Sequence, residues 1–187
     1  MKTLNSKILY KTPYLELRIS ARKFYFAQRR GINSTAALCF RKTKTGYQFL
    51  MHYQPLPVLK LDYKLNKDLY PCPITGSLEK SETPEQNVIK EVLEEAGYKI
   101  TKKNIKDCVL ATASTQMNEV VFHYLVDLTN QKQVTNKLGD GSYFEAISKN
   151  KWVSQKEVEN ILYDNKELYL SSLSACYGLF LKYKSSK

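Results

Sequence analysis

The sequence predicts an α/β protein, a mixed sheet covered by helices, and three observations lead there. Short stretches of apolar and β-prone residues lie before residue 54 and recur after residue 107, as strands require. Between them, residues 84–96 carry apolar side chains at a helical period. After residue 154, two further helical stretches close the chain.

Taken in order, Leu15, Leu17 and Ile19 alternate with polar neighbours and predict a strand over 15–20, and Phe24-Tyr25-Phe26 marks a second strand-like piece. Residues 33–41 and 47–53 flank a turn at 42–46 and read as a strand pair. Residues 54–73, rich in proline, lysine and tyrosine, read as a loop. Thr83 is a good N-cap, Pro84 suits the first helical position, and Gln86 completes a capping box. Val88, Ile89, Val92, Leu93 and Ala96 then form an apolar stripe, and Gly97 can end the helix in the left-handed conformation. The predicted helix over 84–96 is about 20 Å long. Beyond it come a basic connection over 99–106, strands over 108–113 and 120–128, and a long loop over 130–150. A short strand at Lys151-Trp152-Val153 follows. A second capping box at Ser154 and Glu157 opens a helix to about Tyr163, and a longer helix over 167–183 ends the fold.

Composition narrows the class. A chain of 187 residues is long enough for one domain with a real core, so 1–187 is read as a single unit. It has no 18-residue apolar run to span a membrane and no signal-peptide core in its first 17 residues, which points to the cytosol. Cys39, Cys72, Cys108 and Cys176 form no CxxC pair and read as buried thiols in a reducing compartment. The two histidines, His52 and His123, each lie in a strand-like run, which argues against a histidine-based zinc site and makes His123 structural. The net charge of +11 is spread along the chain, with a dense block only in the C-terminal tail, so it favours an anionic ligand without fixing its size.

The chemistry concentrates on the helix over 84–96. Glu91, Glu94 and Glu95 stand at i, i+3 and i+4 and are predicted to share the face away from the apolar stripe. Glu82, with the glycine-led loop 76–81, can fold back toward them. Like charges so close are costly unless a cation sits among them, and hard carboxylate oxygens suit Mg²⁺ or Mn²⁺. A solvated acidic helix face is the plain alternative.

Residues 76–98, GSLEKSETPEQNVIKEVLEEAGY, resemble the signature of the Nudix hydrolases. Gly76, Glu82, Glu91, Val92, Glu94, Glu95, Gly97 and Tyr98 match it in register, and Lys90 stands where the family has Arg. A lysine keeps the charge of that arginine but loses its two-pronged fork. The resemblance implies an α/β/α sandwich in which Mg²⁺ or Mn²⁺ is held by Glu91, Glu94, Glu95 and the carbonyl of Gly76, with Glu82 and Lys90 in support. It also implies that Glu94 or Glu91 serves the chemistry, together with an acid on the late loop, Glu145 first and Asp140 second. Trp152 then packs under the final helix.

Within the family the chain is most similar to the ADP-ribose pyrophosphatase and nucleotide-sugar diphosphatase branch. Residues 1–30 resemble that branch's N-terminal strand extension, which implies a homodimer and aromatics such as Phe24 and Tyr25 in a base pocket. Ser114 and Glu119, on a serine-bearing loop before a strand, resemble its substrate-binding loop. The leader Pro71-Cys72-Pro73-Ile74-Thr75-Gly76 keeps the branch's glycine and lacks its glutamate. The implied activity is metal-dependent hydrolysis of a nucleoside diphosphate derivative, ADP-ribose or a related nucleotide sugar. Two other readings stay open: an RNA-directed enzyme, which the positive charge would suit, and a non-catalytic nucleotide sensor, for which Lys90 speaks.

Overall fold

In the computed structural model, residues 5–56, 69–135, 146–164 and 168–187 are described. Strands β1 (Ser6–Lys11), β2 (Leu15–Ser20) and β3 (Tyr25–Arg29) form an antiparallel three-stranded sheet in that order. β2 falls where the alternation predicts it. β1 is not predicted, because Ile8, Leu9 and Tyr10 run consecutively without alternation, and only pairing with β2 defines it.

The larger sheet comprises β4 (Ser34–Thr43), β5 (Gly46–Gln54), β6 (Tyr70–Cys72), β7 (Ile74–Ser77), β8 (Ile105–Thr112), β9 (Val120–Asp127) and β10 (Lys149–Ser154). Its order is β10-β5-β4-β9-β8, with β6 added to β5 and β7 to β4. β4 and β9 run parallel and the other pairs antiparallel, so the sheet is mixed as predicted. β6 lies inside the stretch read as a loop. Pro71 is tolerated there because the strand pairs on one side alone, with β5, and proline costs least at such an edge.

Alternation along β4 builds two cores. Ala36, Leu38 and Phe40 face α2 (Gln155–Tyr163) and α3 (Ser172–Ser185), where Phe180 meets Phe49 with ring centroids 4.6 Å apart. Ala37 and Cys39 face the opposite way, against Val88, Val92 and Ala96 of α1 (Pro84–Ala96). The result is the α/β/α sandwich with an N-terminal strand extension.

The three helices begin by different means. Thr83 and Gln86 form the reciprocal capping box of α1, and Ser154 and Glu157 form that of α2. α3 starts at Ser172, later than the periodicity suggests, and has no side-chain cap; residues 165–167 lie outside the described residues.

Three expectations are corrected. Trp152 packs on the α1 side, edge-on to Tyr98 and under the Arg41 guanidinium, because the alternation of β10 turns its neighbour Val153 toward α2 and α3. Cys108 is exposed, since β8 is an edge strand with an open face, whereas Cys39, Cys72 and Cys176 are buried. The connection over 99–106 already enters β8 at Ile105, after a short 3₁₀ turn at Lys102–Asn104. His123 is structural, buried with Nε2 3.3 Å from Ser172 Oγ. Among the described residues, no helix is long and apolar enough to cross a membrane.

Candidate active site

The site is built where β7 passes under the N-terminal half of α1. Gly76, in β7, is paired with Thr35 of β4, and a Cβ at Gly76 would overlap the carboxyl group of Glu91. Glycine therefore leaves the room that the Glu91 carboxyl occupies, and any side chain there would displace it. At the other end of α1, Gly97 adopts φ +73° and ends the helix as an αL cap, its N–H bonding Leu93 O, with Tyr98 N–H reaching Val92 O at 3.3 Å. The helix is thus fixed at both ends around its acidic turn.

Within that turn the side chains differ from the predicted arrangement. Glu91 and Glu95 do not point away from the apolar stripe. They flank it, because with Asn87 they form an i, i+4, i+8 row beside Val88 and Val92, turned toward the sheet. Glu95 is buried, with Oε2 3.7 Å from His52 Nε2. Asn150 ties this corner together: its Oδ1 lies 2.7 Å from His52 Nδ1, and its Nδ2 donates to the Glu95 carbonyl. Glu91 and Glu94 are half-buried, as is Lys90.

Lys90 holds Glu82 Oε1 at 3.3 Å and lies 3.6 Å from Glu79. Burial opposes ionisation of Glu82, but hydrogen bonds from Asn87 and Lys90 outweigh it and hold its carboxyl below its ordinary value. Glu91 behaves oppositely. Burial, reinforced by Glu94 and Glu82 and only partly offset by Lys90 and Asn87, pushes its carboxyl up to about 7.

Asn87 is the residue that sequence reasoning misses. It is fully buried, and its Oδ1 accepts from Thr35 Oγ1 at 2.6 Å. Its Nδ2 faces the Ser77 carbonyl, Glu82 Oε2 and Glu91 Oε1 at 3.1, 3.0 and 3.4 Å. The available signal was a carboxamide four residues before Glu91, beside the apolar stripe.

A divalent cation fits this donor set in kind. Glu91, Glu94 and the Gly76 carbonyl offer hard oxygens, and the Glu91 carboxyl, raised chiefly by burial and further by Glu94 and Glu82, is one whose ionised form a cation would favour. Among the described residues, no three His, Cys, Asp or Glu side chains already converge on one point. Glu145 and Asp140, predicted on the late loop, lie outside the described residues.

The other predicted positions fall around the N-terminal sheet. Glu119 is buried, accepting from Ser34 Oγ at 2.6 Å and paired with Arg29 Nη1 at 3.0 Å. Arg29 Nη2 donates to Ser77 Oγ at 2.8 Å, next to Gly76. Phe24 lines a groove of about 450 Å³ with Arg22, Phe26, Met117 and Asn118. Tyr25 is exposed and outside that lining, and Ser114 Oγ accepts from the Gln116 amide in its own loop. That loop docks on β3, with the Ala27 amide donating to the Gln116 carbonyl and Asn118 bonded to Gln28.

The fold and site define a class: a mixed-sheet sandwich with a carboxylate-bearing helix set against a glycine of β7. The model of the NUDIX domain matches residues 34–171, and the chain belongs to the Nudix family of pyrophosphohydrolases. Among solved structures, an ADP compounds hydrolase superposes with a TM-score of 0.62 at 10% identity, covering 100% of this chain and 98% of that one. No curated protein matches the sequence.

Proposed function

We propose that this protein hydrolyses the diphosphate linkage of a nucleoside diphosphate derivative, ADP-ribose or a related nucleotide sugar, to a nucleoside monophosphate and a sugar phosphate. One observation carries the reading. The Glu91 and Gly76 corner is linked by hydrogen bonds through Ser77 and Arg29 to Glu119, and Asn118, the residue before Glu119, lines a groove bearing an exposed aromatic, Phe24. The reading puts the diphosphate at the first and the base at the second. The fold likeness to an ADP compounds hydrolase supports the same substrate class.

In this reading Glu91, Glu94 and the carbonyl of Gly76 would hold Mg²⁺ or Mn²⁺, while Glu95, also expected as a ligand, faces His52 instead. Such a cation supplies charge neutralisation at the phosphate oxygens and a more acidic bound water. A carboxylate of the acidic turn, Glu94 or Glu91, takes the proton of the attacking water, the water oxygen bonds to phosphorus as the P–O anhydride bond breaks, and the departing phosphate keeps that bond's electron pair. Lys90 and Asn87 fix Glu82 beside the site. Glu95, His52 and Asn150 anchor the end of the acidic turn to β5 and β10. Phe24 offers a face for base stacking.

The test is release of nucleoside monophosphate from ADP-ribose, other nucleotide sugars, dinucleoside polyphosphates, nucleoside triphosphates and 5′-triphosphate RNA, with Mg²⁺ or Mn²⁺. Turnover of a nucleotide sugar, abolished in Glu94→Gln and weakened chiefly in KM by Phe24→Ala, is the expected result. Turnover of RNA alone would replace the substrate assignment. Silence with every compound, beside tight binding of one nucleotide, would turn the protein into a sensor.

The proposal extends to a homodimer built on the N-terminal sheet, which leaves Ile8, Leu9, Tyr10, Tyr14 and Leu17 exposed on one extension. Light scattering should give twice the chain mass of 21.6 kDa, and Tyr10→Glu with Leu17→Glu should halve it. A monomer in the unmodified protein would refute this extension. A cytosolic setting accords with four free cysteines.

A further inference from the structure

We infer that Asn87 is a positioning residue of the site, and that Asn87 and Lys90 together make a divided clamp on Glu82. It rests on the reading of α1 as the cation-holding helix. Glu82 Oε1 takes its hydrogen bond from Lys90 Nζ at 3.3 Å, and Oε2 takes its own from Asn87 Nδ2 at 3.0 Å. The two oxygens of one carboxylate are therefore gripped by two side chains, one charged and one neutral. A lysine ammonium is a compact point charge and engages one oxygen here; a guanidinium would present a planar fork to both.

The orientation of Asn87 is not arbitrary. Its neighbours on one side are a carbonyl and two carboxylates, all acceptors, and on the other a threonine hydroxyl. The amide nitrogen must face the acceptors, so Thr35 donates to the oxygen and locks the ring of contacts. Nδ2 has two hydrogens for three acceptors. Glu91 Oε1 at 3.4 Å is the most distant, which leaves it, of the two carboxylates that Asn87 reaches, the one freer to turn toward a cation. Because Asn87 also holds the Ser77 carbonyl, it sets Glu82, Glu91 and the loop beyond Gly76 relative to one another.

The division of the clamp makes a specific prediction: Asn87 matters because residue 90 is lysine. The experiment is a double-mutant cycle with Asn87→Ala, Lys90→Arg and both together, read by Mn²⁺ binding in electron paramagnetic resonance and by thermal melting of the metal-free proteins. Asn87→Ala should weaken Mn²⁺ binding about tenfold or more, as loss of a partner that orients a metal ligand does. In the Lys90→Arg background the same substitution should cost less than about threefold, because the guanidinium takes over Glu82 Oε2. Non-additivity in the same direction should appear in the melting temperatures. An equal cost in both backgrounds would show Asn87 to be a core amide with no share in the clamp, and would overturn the inference. Absence of Mn²⁺ binding in the unmodified protein would sink the reading of the site itself. The metal-free cycle would then still report whether the clamp exists.

Discussion

A methyl group on Gly76 would overlap the Glu91 carboxyl, so the smallest possible substitution attacks the site directly. Gly76→Ala should lower hydrolytic activity about tenfold or more by displacing Glu91, and cost ~1–3 kcal/mol of stability through overpacking. Activity assays beside urea melts check both numbers. Glu91 itself gives a pH signature. Its carboxyl lies at about 7 in the folded protein against 4.5 ordinarily, so the folded state binds more protons between those values. Stability of the metal-free protein therefore falls as pH rises through that window, with the full penalty present above it. Glu91→Gln removes the penalty, and its melting temperature in EDTA should exceed that of the unmodified protein at pH 8 but not at pH 4. A gain of equal size at both pH values would contradict the burial argument.

At the level of elements, α1 depends on its ends as much as on its apolar stripe. Thr83→Ala removes one half of the capping box and should cost ~1 kcal/mol. Gly97→Ala should cost more, ~1–3 kcal/mol, because it places a side chain at φ +73° and against the Thr135 carbonyl. The order of the two midpoints in chemical denaturation tests whether the C-terminal lock outweighs the N-terminal cap. Arg29→Ala acts between elements. It strips a charged donor from buried Glu119 and frees Ser77, and should cost ~2 kcal/mol while loosening the N-terminal sheet from β9.

For the molecule as a whole, stability sits mostly in the two cores on either face of β4. Phe180 packs on Phe40, Tyr47 and Phe49 with no exposed surface, so Phe180→Ala should cost ~3–5 kcal/mol and lower the melting temperature more than any substitution named above. The groove at the N-terminal sheet and the acidic turn of α1 both lie away from the Phe180 core, the acidic turn adjoining the other core through Val88 and Val92.

Much of this was legible in the chain. Local rules of capping and periodicity place α1 at Pro84–Ala96 and α2 from Gln155 without tertiary help, since a capping box and a glycine stop depend only on near neighbours. The spacing of Glu82, Glu91, Glu94 and Glu95 likewise identifies the acidic turn. What spacing could not decide was which way each side chain turns. The spacing predicts a stripe opposed to the glutamates, yet Glu91 and Glu95 lie on its flank, because the sheet reaches the helix on a face broad enough to include Asn87. Strands β1 and β6 exist through pairing alone, and Trp152 takes its side from the register of β10 against β5. The sequence by itself determined the two capped helices, α1 and α2, and the carboxylate set, which are local in the chain. Only the tertiary structure decided that Thr35, Ser77 and Glu82 join Glu91 at Asn87, because packing of β4 and β7 against α1, and not helical spacing, brings those residues to it.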